Sequence, residues 1–368
     1  MRIGVDGREL QGRPTGAGRY LRNLIRLWTA GGEDRLLVYF NGPPPADAVL
    51  DHPAVARRAV GDRPVRGLAW QEGRLPAAAR GDGLDVFFAP AYSCPLSLDV
   101  PRVTAVHDVS FFSMPQDFSA WDAWRRRALL RATARVSRAV LACSEFTRRE
   151  ILSWLPALAG RVHHVPLAAA DDLPAPPARA EARRSLAVRG EYVITVGSIF
   201  NRRRLPDLLR AVAALSRRRR EVVLDVAGEN RTHPPLDLDA QLHELDLGDR
   251  VRLSGYVSDA ELVMRYAAAD VAVFLSEYEG FGLGALEAMA HGVPTIVAAR
   301  PSLDEVTGDG ALRVDPEDVP GIAAALDRVL GDAALRAELA AKGRARAGQF
   351  AWGETARRTR AVLAAAAR

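Results

Sequence analysis

The chain has 368 residues, enough for two ordinary domains, and 48% of them are apolar, as in soluble globular proteins. No apolar run approaches the ~20 residues needed to cross a bilayer, and the opening MRIGVDGREL lacks an apolar core, so neither a membrane span nor a signal peptide is expected. The net charge of +5 comes from arginine, with Lys342 the sole lysine; no zinc-finger spacing, RNP-like aromatic run or basic tail accompanies it, which argues against nucleic acid.

Taken in order, residues 2–6 read as a short buried strand. The loop Pro14-Thr15-Gly16-Ala17-Gly18 follows, and a helix over 17–28. A strand, a glycine loop and a helix start make a candidate phosphate cradle through Gly16 and Gly18. A plain surface loop with a capped helix fits the same residues, and the third glycine of a dinucleotide fingerprint is missing. Strands are expected at 36–40, 85–89 and 103–106, while 41–82 carries no clear pattern. The 103–106 strand ends in His107-Asp108, at the sheet edge where parallel sheets place ligands. A helix over 121–138 carries Arg125, Arg126, Arg127, Arg131, Arg135 and Arg138; three are consecutive, so they read as a solvated face rather than one clean stripe, with a membrane or acceptor contact the other account. Strands at 140–144 and 161–165 close this half, with Ser144 a candidate cap for the helix opening at Glu145.

The proline- and acid-rich stretch from Asp171 separates two strand–helix series. Residues 1–170 and 189–351 are each expected to form a parallel sheet with helices on both faces, joined by a linker over 171–188. Two such doubly wound, Rossmann-like domains facing a central cleft would place a ligand between their strand ends. The second half opens with a strand at 192–196, then Gly197-Ser198-Ile199-Phe200-Asn201-Arg202-Arg203-Arg204. A strand ending in glycine and followed by arginines suits a diphosphate, whose charge needs cationic partners. Strands at 222–227 and 250–253 precede Gly255-Tyr256-Val257-Ser258-Asp259, where Ser258 or Asp259 caps the next helix.

A strand at 271–275 leads to SEYEGFGLGALEAMAHGVP, residues 276–294. Free backbone N–H groups at the turn Gly280-Phe281-Gly282-Leu283 offer a second phosphate site. Glu287 lies among Ala285, Leu286, Ala288 and Met289, so it is expected to be at least partly buried, and a buried carboxylate needs donors. A ribose diol supplies two; a salt bridge to a neighbouring element is the other account. Strand 295–298 and alanine-rich helices over 323–330 and 333–347 follow, then Phe350-Ala351-Trp352 and a last helix.

Seven residues separate Glu279 from Glu287. With EGFG after the first acid and LEAMAHGVP around the second, the segment resembles the E-x7-E signature of retaining glycosyltransferases of family 4, which are two-domain GT-B enzymes. TGAGRY, VHD, SEFTR, GYVSDAEL, PSLDEV and the F-x-W segment resemble family stretches in family order, and the GAGRY, VHD, SEFTR, RRR and GYVSD segments together look like the mannosyltransferase-like branch. Gly284 departs from a frequent proline, and Ser198 stands where relatives often carry a cation.

The resemblance implies transfer of a hexose from a nucleoside diphosphate sugar to a hydroxyl, with GDP-mannose the first donor expected and a UDP-sugar the second. Glu279 would bond the donor sugar and Glu287 the ribose diol. Arg202 and Arg203, with amides near Gly197, Ser198 and Gly280–Leu283, would stabilise the leaving diphosphate. His107 would steady the sugar, and backbone at Tyr256 and Val257 would meet the base. No DxD-type pair accompanies the expected diphosphate position, so no metal and no other cofactor is expected. The acceptor is a glycan, a lipid-linked molecule or a small molecule. Helix 352–368 is expected to return to the first domain. Cys94 and Cys143 form no metal or disulfide pattern, so the cytoplasm is expected, with contact at the inner membrane surface left open. A nucleotide-sugar epimerase of the same architecture and a non-catalytic nucleotide-sugar-binding protein are the alternatives.

Overall fold

Short apolar runs such as Ile3–Val5 and Tyr192–Ile194 are buried on both faces, the pattern of strands in parallel sheets covered by helices on either side. In the computed structural model, which describes every residue except Pro14, Glu33, Asp172, Arg219 and Arg220, these runs build two all-parallel sheets. Pro14 of the expected loop and Asp172 of the expected linker therefore lie outside the described residues.

The first sheet contains β1 (Arg2–Asp6), β2 (Arg35–Phe40), β3 (Val55–Ala59), β4 (Val86–Ala89), β5 (Arg102–Val106), β6 (Ala139–Ala142) and β7 (Val162–His164), in the order β3-β2-β1-β4-β5-β6-β7. The second contains β8 (Glu191–Val196), β9 (Val222–Ala227), β10 (Val251–Leu253), β11 (Val271–Phe274), β12 (Thr295–Ala298) and β13 (Leu312–Val314), in the order β10-β9-β8-β11-β12-β13. Each is a Rossmann-like doubly wound sheet. The strand order reverses between β1 and β4 in the first and between β8 and β11 in the second. Ligands of such sheets bind beyond the carboxyl ends of the strands that flank that reversal.

The chain divides into two compact units that are not contiguous in sequence: Met1–Phe112, Trp121–Leu167 and Ala351–Arg368 form one, Ser113–Ala120 and Ala168–Phe350 the other. The segment 171–188 departs from the linker reading. It holds the helix Arg179–Ser185, whose Arg179 and Arg183 reach Asp270 at 2.6 and 3.1 Å. Residues 113–120 also cross to the second unit, a long-range assignment with no local signal.

Helix Trp352–Ala366 packs within the first unit. Trp28 Nε1 donates to Ala356 O at 3.0 Å, Thr355 Oγ1 donates to Pro166 O at 2.7 Å, and Arg360 Nε lies 2.6 Å from Asp34 Oδ2. Trp352 is 2% exposed and packs near Tyr20, a core residue. The patternless 41–82 stretch contains the edge strand β3, with three exposed residues of five, and a single wide turn of π-helix at Ala69–Arg74 that buries Trp70 and Gln71.

Candidate functional site

In the second unit the strand reversal brings the loop after β8 beside the turn after β11. Gly197 ends β8 with φ +111°, a conformation that glycine alone adopts without strain, and a Cβ there would collide with the Arg203 guanidinium. A single 3-10 turn, Asn201–Arg203, then carries Arg202 and Arg203, and Arg204 ends it. Arg203 folds back over the loop. Its Nη1 donates to Val196 O at 3.1 Å, and its Nη2 lies 3.1 Å from Glu279 Oε1. Ser276 Oγ donates to that same oxygen at 2.8 Å. Arg203 Nε is buried and has no hydrogen-bond partner among the described residues.

Arg202, expected beside Arg203 at the phosphates, is turned the other way. Its guanidinium is buried, 4.2 Å from the Phe200 ring centroid and 3.5 Å from Asp117 Oδ2, and its backbone N–H donates to the same carboxylate at 3.3 Å. Arg204 adopts a left-handed conformation, φ +53°, and spreads its guanidinium over Asp207 (2.8 Å), Glu277 (2.8 Å) and Glu317 (3.5 Å). A non-glycine residue held there is uncommon and is kept by its three carboxylate partners.

Glu279 is followed by Gly280 and Phe281, both buried, and by Gly282 at φ +93°. Helix Leu283–Ala290 starts there with no side-chain cap, so its first amides are left to other acceptors. A Cβ on Gly282 would meet Leu303 at 2.7 Å. At Gly284 a Cβ would stand 2.9 Å from the Phe274 ring, which explains the glycine: an aromatic at the end of β11 already fills that space. Glu287, on this helix, is 4% exposed. Ser198 is half-buried beside Gly197. Tyr256 is exposed and Val257 half-buried, in the turn before a helix that Ser258 and Glu261 close with a reciprocal capping box.

In the first unit, Thr15 Oγ1 accepts from Gly18 N at 3.0 Å and caps helix Gly16–Ala30. A Cβ on Gly18 would clash with the Glu9 carbonyl, and the Glu9 carboxyl is raised in pKa by burial and by Asp6. His107 follows β5, with its ring part-buried and edge-on to Tyr20 and Tyr92 at 5.2 and 6.1 Å. Its Nε2 meets Pro90 O at 2.8 Å, which sets that nitrogen as the donor. Burial lowers its pKa, against the opposing effects of Pro90 and Asp108. Asp108 accepts from Tyr92 (3.0 Å) and from Ser110 (2.9 and 2.7 Å), and so braces the loop. Arg148 is tied to Glu145 on its own helix at 2.7 Å.

Comparison with known proteins follows the same division. The sequence profile of glycosyltransferase family 4 matches residues 14–173, and that of glycosyl transferases group 1 matches 179–346. The chain is 30% identical over 366 residues to an O-antigen chain mannosyltransferase B of Escherichia coli, covering 92% of this chain and 93% of that protein. The chain belongs to glycosyltransferase family 4.

A second relative of the glycosyltransferase is an MMP alpha-(1->4)-mannosyltransferase of Mycolicibacterium hassiacum, 32% identical over 71% of this chain and 64% of that protein. Both relatives lie on the mannosyltransferase-like side of the family. A sucrose-phosphate synthase from Thermosynechococcus elongatus superposes with a TM-score of 0.81 over 99% of this chain and 100% of that one, at 22% identity, which shows the GT-B fold. These relatives are transferases, so an epimerase or a non-catalytic binding protein is not favoured. Three residues of the second unit that fix this site have no reading as such in the sequence. Asp117 is 85 positions from its partner Arg202. Ser276, beside Glu279, was in plain view inside the motif. Arg204 was read only as one more cation of the run, not as the partner of Glu277.

Proposed function

We propose that this glycosyltransferase is a retaining, metal-independent mannosyltransferase that takes GDP-mannose and delivers the sugar to a hydroxyl of a glycan, a lipid-linked molecule or a small molecule. One observation carries the donor site: the partly exposed Arg203 guanidinium is held by Glu279, in the turn that leads to a helix start with no side-chain cap. A diphosphate suits that place, since cation and amides strengthen their hold as charge develops on the leaving group. Glu279 then bonds hydroxyls of the sugar, and Glu287 takes the ribose diol. His107 steadies the sugar, the role that the resemblance of its VHD segment implies.

Metal independence is supported by the surroundings of the turn. Asp117, Asp207, Glu277 and Glu279 each already meet an arginine, so the cationic work there falls to the protein. Mannose is supported by the names of two relatives that span most of the chain. Retention rests on the family's E-x7-E pattern, Glu279 to Glu287.

The test is a thermal-shift panel of GDP, UDP, ADP and dTDP with their common sugars, with and without magnesium. A ligand at a hundred times its dissociation constant adds about 2.7 kcal/mol. A shift with GDP and GDP-mannose that ignores magnesium is expected. A shift with UDP-sugars alone would overturn the donor, and no shift with any nucleotide would overturn the site. Proton NMR of the first product formed from an accepted alcohol reports whether the anomeric configuration is kept.

A further inference from the structure

Half of the six tryptophans are core residues and half are not. Trp28, Trp70 and Trp352 are buried, whereas Trp121, Trp124 and Trp154 are 66%, 59% and 44% exposed. All three exposed ones belong to the first unit, and two stand on helix Ala120–Val136. That helix is inverted in an informative way. It buries Ala123, Leu130, Thr133 and Ala134, and sends its two largest apolar side chains outward.

At about 100° per residue, positions 121, 124, 125, 128, 131 and 135 fall within an arc of roughly 120°. The outward face is therefore Trp121, Trp124, Arg125, Ala128, Arg131 and Arg135, all exposed. The consecutive arginines concealed this stripe. Arg127 leaves it by donating to Phe111 O at 2.7 Å, and Arg126, also exposed, projects from the opposite side of the helix. The two indoles stack on each other at 5.1 Å and 24°, forming one flat apolar wedge. Arg131 sits 5.0 Å over the Phe112 ring, and Phe112 stacks on Trp154 at 5.2 Å, so the patch continues onto the end of helix Glu145–Trp154. Asp122 is the one acid on helix Ala120–Val136; it lies at the stripe's edge, 3.3 Å from Arg125.

We propose that this face is a docking surface for an anionic phospholipid bilayer. Two observations choose the occupant. The charge of the stripe is cationic, which complements phosphate headgroups. The indoles are apolar bodies with a polar edge, the side chains that settle at the headgroup level of a membrane, and a single helix lying flat presents them at one depth. A nucleic-acid strand is less well matched, because the indoles use one face on each other and the stripe is a ridge rather than a groove. The surface is independent of the donor site and of the transfer reaction.

The full chain is floated with vesicles of phosphatidylcholine alone, and with phosphatidylcholine mixed with phosphatidylglycerol. Flotation with the anionic vesicles, weakened by salt, is expected. Arg125→Ala with Arg135→Ala should weaken it roughly thirtyfold, which is about 1 kcal/mol for each basic residue. Trp121→Ala with Trp124→Ala should lose it and also lose the blue shift of indole emission that vesicles cause in the parent. All four residues are exposed, and an unchanged far-UV circular dichroism spectrum and melting temperature show that the variants fold. Failure of the parent to float with anionic vesicles, equal binding of both double variants and parent, or tighter binding to a single-stranded RNA oligonucleotide than to the vesicles would each overturn the proposal.

Discussion

Arg203 and Glu279 are joined through one carboxylate oxygen: Arg203 Nη2 lies 3.1 Å from Glu279 Oε1, and Ser276 Oγ closes on that oxygen at 2.8 Å. The pair links the loop after one strand of the reversal to the turn after the other. Its side chains are 26% and 20% exposed and still reach solvent, so its worth to stability is about 1 kcal/mol or less. Its effect belongs to the reaction. Glu279→Gln should lower kcat roughly a hundredfold, the cost of one mispositioned charged contact at a reacting centre, while the affinity for GDP changes little. Arg203→Ala should do the reverse first and weaken GDP. Initial rates beside calorimetric titration separate the two; equal losses in both variants would deny them separate roles.

Glu287 gives a prediction about the nucleoside. A buried carboxylate that bonds a diol discriminates against a ligand lacking it, because the hydrogen bonds to that diol are lost. The parent should bind GDP at least about tenfold more tightly than 2′,3′-dideoxy-GDP, and Glu287→Leu should erase that preference. If the parent binds both alike, Glu287 serves only the packing of helix Leu283–Ala290.

The imidazole of His107 should titrate below its ordinary 6.5, because burial outweighs the contributions of Pro90 and Asp108. His163 and His291 are displaced in the same direction by burial. With the folded pKa below the unfolded one, the unfolded chain binds more protons in the window between them, so stability falls as pH drops below about 6.5. Melting temperature should decline between neutral and mildly acid solution, and His107→Gln should remove part of the decline. Imidazole NMR of the folded protein showing a His107 pKa above 6.5 would contradict this.

Asp117 should prove structural. Replacing it by alanine leaves the Arg202 guanidinium buried without its carboxylate, at a cost of about 2 kcal/mol. Urea unfolding should detect that loss, with Asp117→Asn restoring part of it through the backbone N–H of Arg202. An unaltered midpoint would mean that stacking on Phe200 alone holds Arg202.

The strands were legible wherever both faces are covered, because such runs are apolar throughout; β9 and β12 fall at the expected residues. β3 was not, since an edge strand reading Val-Ala-Arg-Arg-Ala carries neither an apolar run nor alternation. The two-sheet architecture followed from the alternation of elements and was reinforced by the family motifs. The E-x7-E turn was legible as a motif, and the burial of Glu287 followed from its alanine neighbours. The direction of Arg202 was not, because it depends on a carboxylate contributed from the other half of the sequence. The departure at Gly284 was legible, but its reason was not: the ring of Phe274, ten positions earlier, fills the space a side chain would need.

The chain passes from one unit to the other after residues 112, 120, 167 and 350. A second unit taken from a relative could not be grafted here by a single exchange within residues 171–188. The graft would separate Arg202 from the Asp117 that anchors it, and a tail exchanged along with it would replace the helix that Trp28 and Asp34 hold. Recombination among such enzymes is therefore expected to succeed when residues 113–120 travel with the second sheet and residues 351–368 stay with the first.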